Sequence, residues 1–267
     1  VCRATLHAIS ERRVDLSMGK IAGLAMAAFV AGLIDAIAGG GGLISLPALL
    51  AAGLPPHVAL GTSKGQSTFG SLSALIHYAR SGLVDARRAR FTFPLGFVGS
   101  LSGAALVMLV RPEQLRPLVL VLLVGVAAFL AFRPPVAPPE GHPAPRRASL
   151  FAALIAAGCG LYDGFFGPGT GTFLIVAFVG LVGLSLTRAT ADAKVVNWAS
   201  NVGALVIFAS RGVTLWRIAL PMAVASFAGG YAGAHIAVRG GDRLVRYAVL
   251  AVVMALAIKQ AFALYGS

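Results

Sequence analysis

From residue 18 onward the chain is a succession of long apolar runs cut by short polar, proline or glycine breaks. The runs cover 21–38, 43–54, 58–79, 91–110 and 115–132, then 148–166, 172–186, 189–210, 215–238 and 244–264. None carries the ten-residue alternation of apolar and polar positions that an outer-membrane barrel needs, so the pattern predicts helices throughout. Most runs reach the ~20 residues that cross a bilayer. Two do not. The run at 43–54 gives about 18 Å of helix at 1.5 Å per residue, short of a ~30 Å hydrocarbon core, and is expected to be re-entrant. The run at 172–186 occupies the matching place in the second series.

The order of runs repeats. Gly32-Leu33-Ile34-Asp35 followed by Gly39-Gly40-Gly41-Gly42 has its counterpart in Gly160-Leu161-Tyr162-Asp163 followed by Gly167-Pro168-Gly169-Thr170-Gly171. Asp35 and Asp163 coincide at an offset of 128, and Lys64 and Lys194 at 130. Between the two series, the stretch from Arg133 to Arg147 holds six of the 14 prolines, which bars a helix and reads as a stiff linker. The expected organisation is a cytoplasmic tail at 1–17, a first transmembrane repeat at 18–132, a proline-rich linker at 133–147 and a second repeat at 148–267.

Charge orients the repeats. With neither short run crossing, fourteen Lys and Arg residues fall on the side of the N-terminus and six on the other. That bias places the N-terminus inside. The fold class expected is therefore an all-α integral membrane protein of two tandem repeats. Each has about four transmembrane helices and a short re-entrant segment, with a 5+5 inverted repeat as the alternative.

Composition agrees: 58% of residues are hydrophobic and 12% charged, with a mean hydropathy of +0.85, against roughly 25% charged in a soluble domain. The net charge of +13 raises nucleic acid as a partner. The arginines are dispersed among short loops, however, with no basic domain to hold it. Two cysteines, without a CxxC or a Cys/His cluster, suggest neither a disulfide framework nor a metal site. No cofactor motif stands out. No nucleophile–base pair, paired carboxylates or metal spacing suggests catalysis.

The candidate chemistry lies at the breaks. Gly39, Gly40, Gly41 and Gly42, and Gly167, Gly169, Thr170 and Gly171, each end one helix and begin another. The new helix offers unpaired N–H groups and a positive dipole end, which suits an anion. Lys64, Ser67 and Ser71 share one helical face, as do Lys194, Asn197 and Asn201. Each face carries one cation and two hydrogen-bonding groups, again suited to an oxyanion. The competing reading is that each lysine pairs with the aspartate of its own half and only locks the bundle. Asp35 and Asp163 stand before the breaks as proton relays, ligands of a coupling cation, caps for backbone amides or plain counter-ions. Asp192 and His77 are weaker candidates, His77 being expected to pack. Tyr162, Phe165, Phe166 and Trp198 are expected to pack as well.

These paired motifs resemble the TauE/SafE family of sulfite or organosulfonate exporters. The resemblance also rests on Pro47, Pro55-Pro56, Ala59-Leu60-Gly61-Thr62, Gln66, Gly70-Ser71 and Ser200, and spans about 19–262. It implies export of a small sulfur-containing anion by a secondary, multi-pass transporter of the bacterial inner membrane. Its partners would be that anion and the lipid bilayer, and a homodimer stays open. Two other functions are kept in view. One is a cation or metal transporter using Asp35 and Asp163. The other is a membrane assembly partner that transports nothing.

Overall fold

The computed structural model describes residues 17–132 and 147–265; the tail before Ser17 and the proline-rich stretch at 133–146 lie outside it. All its elements are helical. The first half holds α1 (Met18–Ala38), α2 (Gly42–Ala51), α3 (Pro56–Arg80), α4 (Ala86–Val107) and α5 (Pro112–Phe132). The second holds α6 (Ala148–Phe165), α7 (Thr170–Ala177), α8 (Leu186–Ser210) and α9 (Trp216–Tyr265). A π-helical stretch, Phe178–Val182, extends α7, and α9 is broken at Gly241, whose φ of 59° and ψ of −161° interrupt the helix. Among the described residues α1, α4 and α6 are long and apolar enough to cross a membrane, and α2 and the 170–182 segment form shorter apolar helices.

Helix ends fall where the sequence supplies chemistry for them. Ser17 caps α1, and Pro56 opens α3 at a position where its missing N–H costs nothing. The Asp85 carboxylate caps α4 by accepting from the amides of Arg87 and Arg88 at 2.9 and 3.2 Å. Arg87, Arg88 and Arg90, which stand in the sequence between the apolar runs at 58–79 and 91–110, thus belong to the start of α4. Its Arg88 does more than orient the chain. It pairs with Asp192 of α8 as well as with Asp85 at 3.3 Å, and Asp192 also accepts from the Asp85 amide at 3.0 Å. Asp192 is consequently a structural anchor between the halves and takes no part in the central site. Arg88→Ala should leave a buried carboxylate without its cation, at a cost of about 3–5 kcal/mol. A markedly lower unfolding temperature in detergent would register the loss.

The halves interlock. Helices α1 and α3 of the first half pack on α9 of the second; α6 and α8 of the second pack on α4 of the first. Small residues permit close crossings. Side-chain positions at Gly99, Gly160, Gly203 and Gly32 are filled by backbone of the facing helix, and that at Gly61 by the Val213 backbone between α8 and α9. Helices in lipid associate through this kind of contact, because burial of apolar surface gives no advantage there. Two apolar clusters flank the interface. One is built on Leu46, Leu49, Phe166 and Phe208, the other on Tyr78, Leu174, Phe178 and Val196.

Candidate functional site

The two glycine breaks meet each other. Gly39 ends α1 in the left-handed region at φ 79°, and its amide donates to the Asp35 carbonyl at 2.9 Å. The place where a Cβ would stand on Gly39 is filled by the backbone of Gly171 and Thr172; a Cβ on Gly171 would lie 2.5 Å from the Gly39 Cα. The last carbonyls of α1 find donors elsewhere: Tyr78 Oη–H donates to Ala36 O at 2.9 Å, and Thr172 Oγ1–H of the other half donates to Ala38 O at 2.8 Å. Likewise Tyr162 Oη–H donates to Pro168 O at 2.7 Å. An interrupted helix away from water needs such donors, since lipid supplies none.

Around this junction the polar stripes of α3 and α8 form one network. Lys64 Nζ lies 2.7 Å from Asp163 Oδ2 and donates to Asn201 Oδ1 at 3.0 Å. Lys194 Nζ lies 2.8 Å from Asp35 Oδ2 and donates also to the Asp35 carbonyl. Asn197 Nδ2–H donates to Asp35 Oδ2 at 3.1 Å, and Asn201 Nδ2–H donates to Asn197 Oδ1 at 3.2 Å and Ser71 Oγ at 3.3 Å. Ser200 Oγ–H reaches Asp163 Oδ2 at 2.5 Å. The lysines do pair with carboxylates, but not with those of their own half: each takes the aspartate of the other. Two cations and two anions balance, so the site carries no net formal charge in this state.

A cavity of about 40 Å³ opens at the network. At ~10–15 Å³ per water it admits about three water molecules. Gly39, Gly41 and Gly42 of the first break line it, as do Gly167 and Gly171 of the second. Lys64, Ser67, Ser71, Asn197, Asn201, Asp35 and Asp163 complete the predicted part of the wall. Four predicted residues stand outside the lining. Gly40 is buried beside it. Gly169 faces Val126 of α5, and Thr170 turns its hydroxyl back to Gly167 O at 2.6 Å. Lys194 is fully buried behind Asp35. Of the two ammonium groups, Lys64 faces the cavity and Lys194 braces its wall.

The wall also includes residues that the sequence pattern did not single out as site residues, notably Ser63, Gln66 and Ser226. Ser226 comes from α9 and lies against Gly32 and Gly70; one serine among small apolar residues gives no signal in sequence. Gln66 and Ser200 were legible only as parts of the family motif. His77 packs edge-on against Tyr231 and His235, with ring centres 5.0 and 5.3 Å apart, away from the cavity. Tyr162 packs edge-on against Phe166 and Phe173, and Trp198 lies tilted against Phe93. Among the described residues no group of three His, Cys, Asp or Glu could hold a metal.

A polar, ion-paired cavity enclosed by interrupted apolar helices, in a chain built to sit in lipid, belongs to a membrane transporter. Residues 24–260 match the Sulfite exporter TauE/SafE family, and the chain belongs to it. It is similar to the probable membrane transporter protein ORF9 of a Sinorhizobium species, 38% identical over 247 residues, covering 92% of this chain and 94% of that one. It is also similar to the probable membrane transporter protein YfcA of Escherichia coli K12, 39% identical over 240 residues and covering 90% and 88%. A probable membrane transporter protein of Haemophilus influenzae is 37% identical over 235 residues, covering 87% and 91%. No solved structure matches the chain.

Proposed function

We propose that the chain is a secondary transporter exporting a small anion, sulfite or an organosulfonate, from the cytoplasm through the cavity between the two glycine breaks. It does so as a multi-pass protein of the inner membrane whose two halves are repeats of one ancestral unit. The observation that carries this reading is the convergence of both breaks and Lys64 on one cavity. At the start of α2 the amides of Leu43, Ile44 and Ser45 bond back to Gly40 and Gly41, and at the start of α7 that of Thr170 bonds to Gly167; what the two helix starts offer an anion is their positive dipole ends. Lys64 supplies the one full positive charge on the wall. The cavity's size favours sulfite, with four heavy atoms, over a longer organosulfonate.

Neutrality of the ion-paired site suits release as well as capture. An anion entering beside Lys64 competes with Asp163 for the ammonium. The anion takes the ammonium from Asp163 on entry, and re-formation of the ion pair expels it. Asp163 thereby serves as the anion's competitor for Lys64, while Asp35, held by Lys194 and Asn197, keeps the first break in place. An inside-negative potential adds about 2.3 kcal/mol per charge per 100 mV in favour of anion exit. A cation cargo is disfavoured because both carboxylates already hold lysine. A role as a passive assembly partner gives no reason for a cavity at the ion pairs.

The test is sulfite release from loaded proteoliposomes containing the purified protein. Release should rise above that of empty liposomes and accelerate with an outward electrical driving force for anions. Release indistinguishable from that of protein-free liposomes at every imposed potential would refute the proposal.

A further inference from the structure

Gln66 is 1% exposed, lies two residues after Lys64 on α3 and contributes to the cavity wall. Its Nε2 donates to Ser67 Oγ at 2.7 Å. Its Oε1 is buried and has no hydrogen-bond partner. Almost every buried polar atom in a folded protein is matched, and an exception at a binding site calls for a reason. Around it the other polar groups are engaged: Lys64 with Asp163 and Asn201, Ser71 with the Ser67 carbonyl, and Asn201 with Asn197. The amide of Gln66 alone among these is half-used.

Resting on the reading of the cavity as an anion site, we propose that Gln66 is the specificity-determining residue that reads the bound oxyanion. A primary amide carries a donor and an acceptor at one end, related by half a turn about its last torsion. With the site empty, Nε2–H donates to Ser67 Oγ. The Ser67 hydroxyl has a proton of its own to give. When an oxyanion enters, the amide turns over: Oε1 accepts from Ser67 Oγ–H, and Nε2–H is released to an oxygen of the anion. The unmatched acceptor disappears in the same movement, so binding repairs a defect of the empty state. The donor thus presented points in one direction, and so favours the fixed oxygens of sulfite or of a sulfonate group over a spherical anion such as chloride.

Two variants in proteoliposomes test this, with sulfite as the probe and methanesulfonate and chloride as competitors. Gln66→Met keeps the length of the side chain and removes both polar ends. It should raise the KM for sulfite about tenfold, leave the maximal rate within about twofold and leave the unfolding temperature unreduced. It should also narrow the preference for sulfite over chloride. Gln66→Glu keeps the shape, turns the donor into an acceptor and adds a negative charge. It should abolish the thermal stabilisation that sulfite gives the parent protein. Should the Met variant fail to fold, the Glu variant decides alone. Parental KM and selectivity in the Met variant, or parental sulfite stabilisation in the Glu variant, overturn the proposal while leaving the transporter reading intact. Absence of sulfite flux and binding in the parent protein overturns both.

Discussion

Lys64→Met should lower sulfite release by about 100-fold or more while the protein still reaches the membrane, whereas Lys194→Met should fail at folding. The two residues are equivalent in sequence, each a lone lysine in an apolar run. Their settings differ. Lys64 faces the cavity and shares its charge with Asp163 and Asn201; Lys194 has 0% exposure and is locked by the carboxylate and the carbonyl of Asp35. Truncating one member of a buried, hydrogen-bonded charge pair costs about 2–5 kcal/mol, or roughly 30- to 5,000-fold in an equilibrium constant. At Lys64 that loss falls on anion binding. Asp163 keeps the hydrogen bond from Ser200 and borders a cavity that admits water, which limits the damage to the fold. Lys194 lies behind the cavity wall and not on it, so the loss falls on the native state. Flux assays on vesicles matched for protein content, with size-exclusion profiles in detergent, distinguish the two. The double variant Lys64→Met with Asp163→Asn should recover parental stability and remain inactive. Equal loss of flux from two equally well-folded single variants would contradict this division of labour.

The second large effect is steric. Gly39→Ala and Gly171→Ala should each yield little or no folded protein, a destabilisation beyond about 4 kcal/mol. The backbones of the two breaks touch, so an added methyl group has only main-chain atoms to displace, and Gly39 also holds a left-handed φ of 79°. Gly158→Ala is the control. It lies in the body of α6 with nothing within 4 Å of the added carbon, and should stabilise the helix by about 0.5–1 kcal/mol. Unfolding temperatures of the three variants, measured side by side, check both claims. A well-folded Gly171→Ala protein would show that the breaks do not meet.

The sequence made the helices legible because each run is long, apolar and closed by residues with a local reason to end it, as at Gly39, Pro55-Pro56 and Asp85. It also brought out the stripes on α3 and α8, because spacings of three and four residues on one helix are a local property. What it could not supply is which helices cross. Pairing of each lysine with the aspartate of its own half is the competing reading of the sequence. The structure pairs them across halves, because α8 lies beside α3 and α4 rather than with elements of its own half alone. For the same reason Ser226 was invisible: its part in the wall exists only once α9 lies against α1 and α3. Arg88 was read as an orienting charge and turned out to be the partner of Asp192, a contact spanning 104 positions. The unmatched end of Gln66 is likewise a property of its surroundings and of no motif.

The exchange of ion pairs across the molecule has a consequence for its birth. As the ribosome delivers the chain, Asp35 and Lys64 enter the bilayer long before their partners, Lys194 and Asp163, have been synthesised. Until then the nascent first half carries an unpaired anion and cation in lipid and has strong reason to keep them at the translocon or near the water interface. Arrival of α6 neutralises Lys64, and arrival of α8 neutralises Asp35, in that order. Assembly is therefore sequential: the second ion pair closes only once α8 has been delivered, and a polypeptide truncated before residue 194 should be cleared by membrane quality control instead of persisting as a stable fragment.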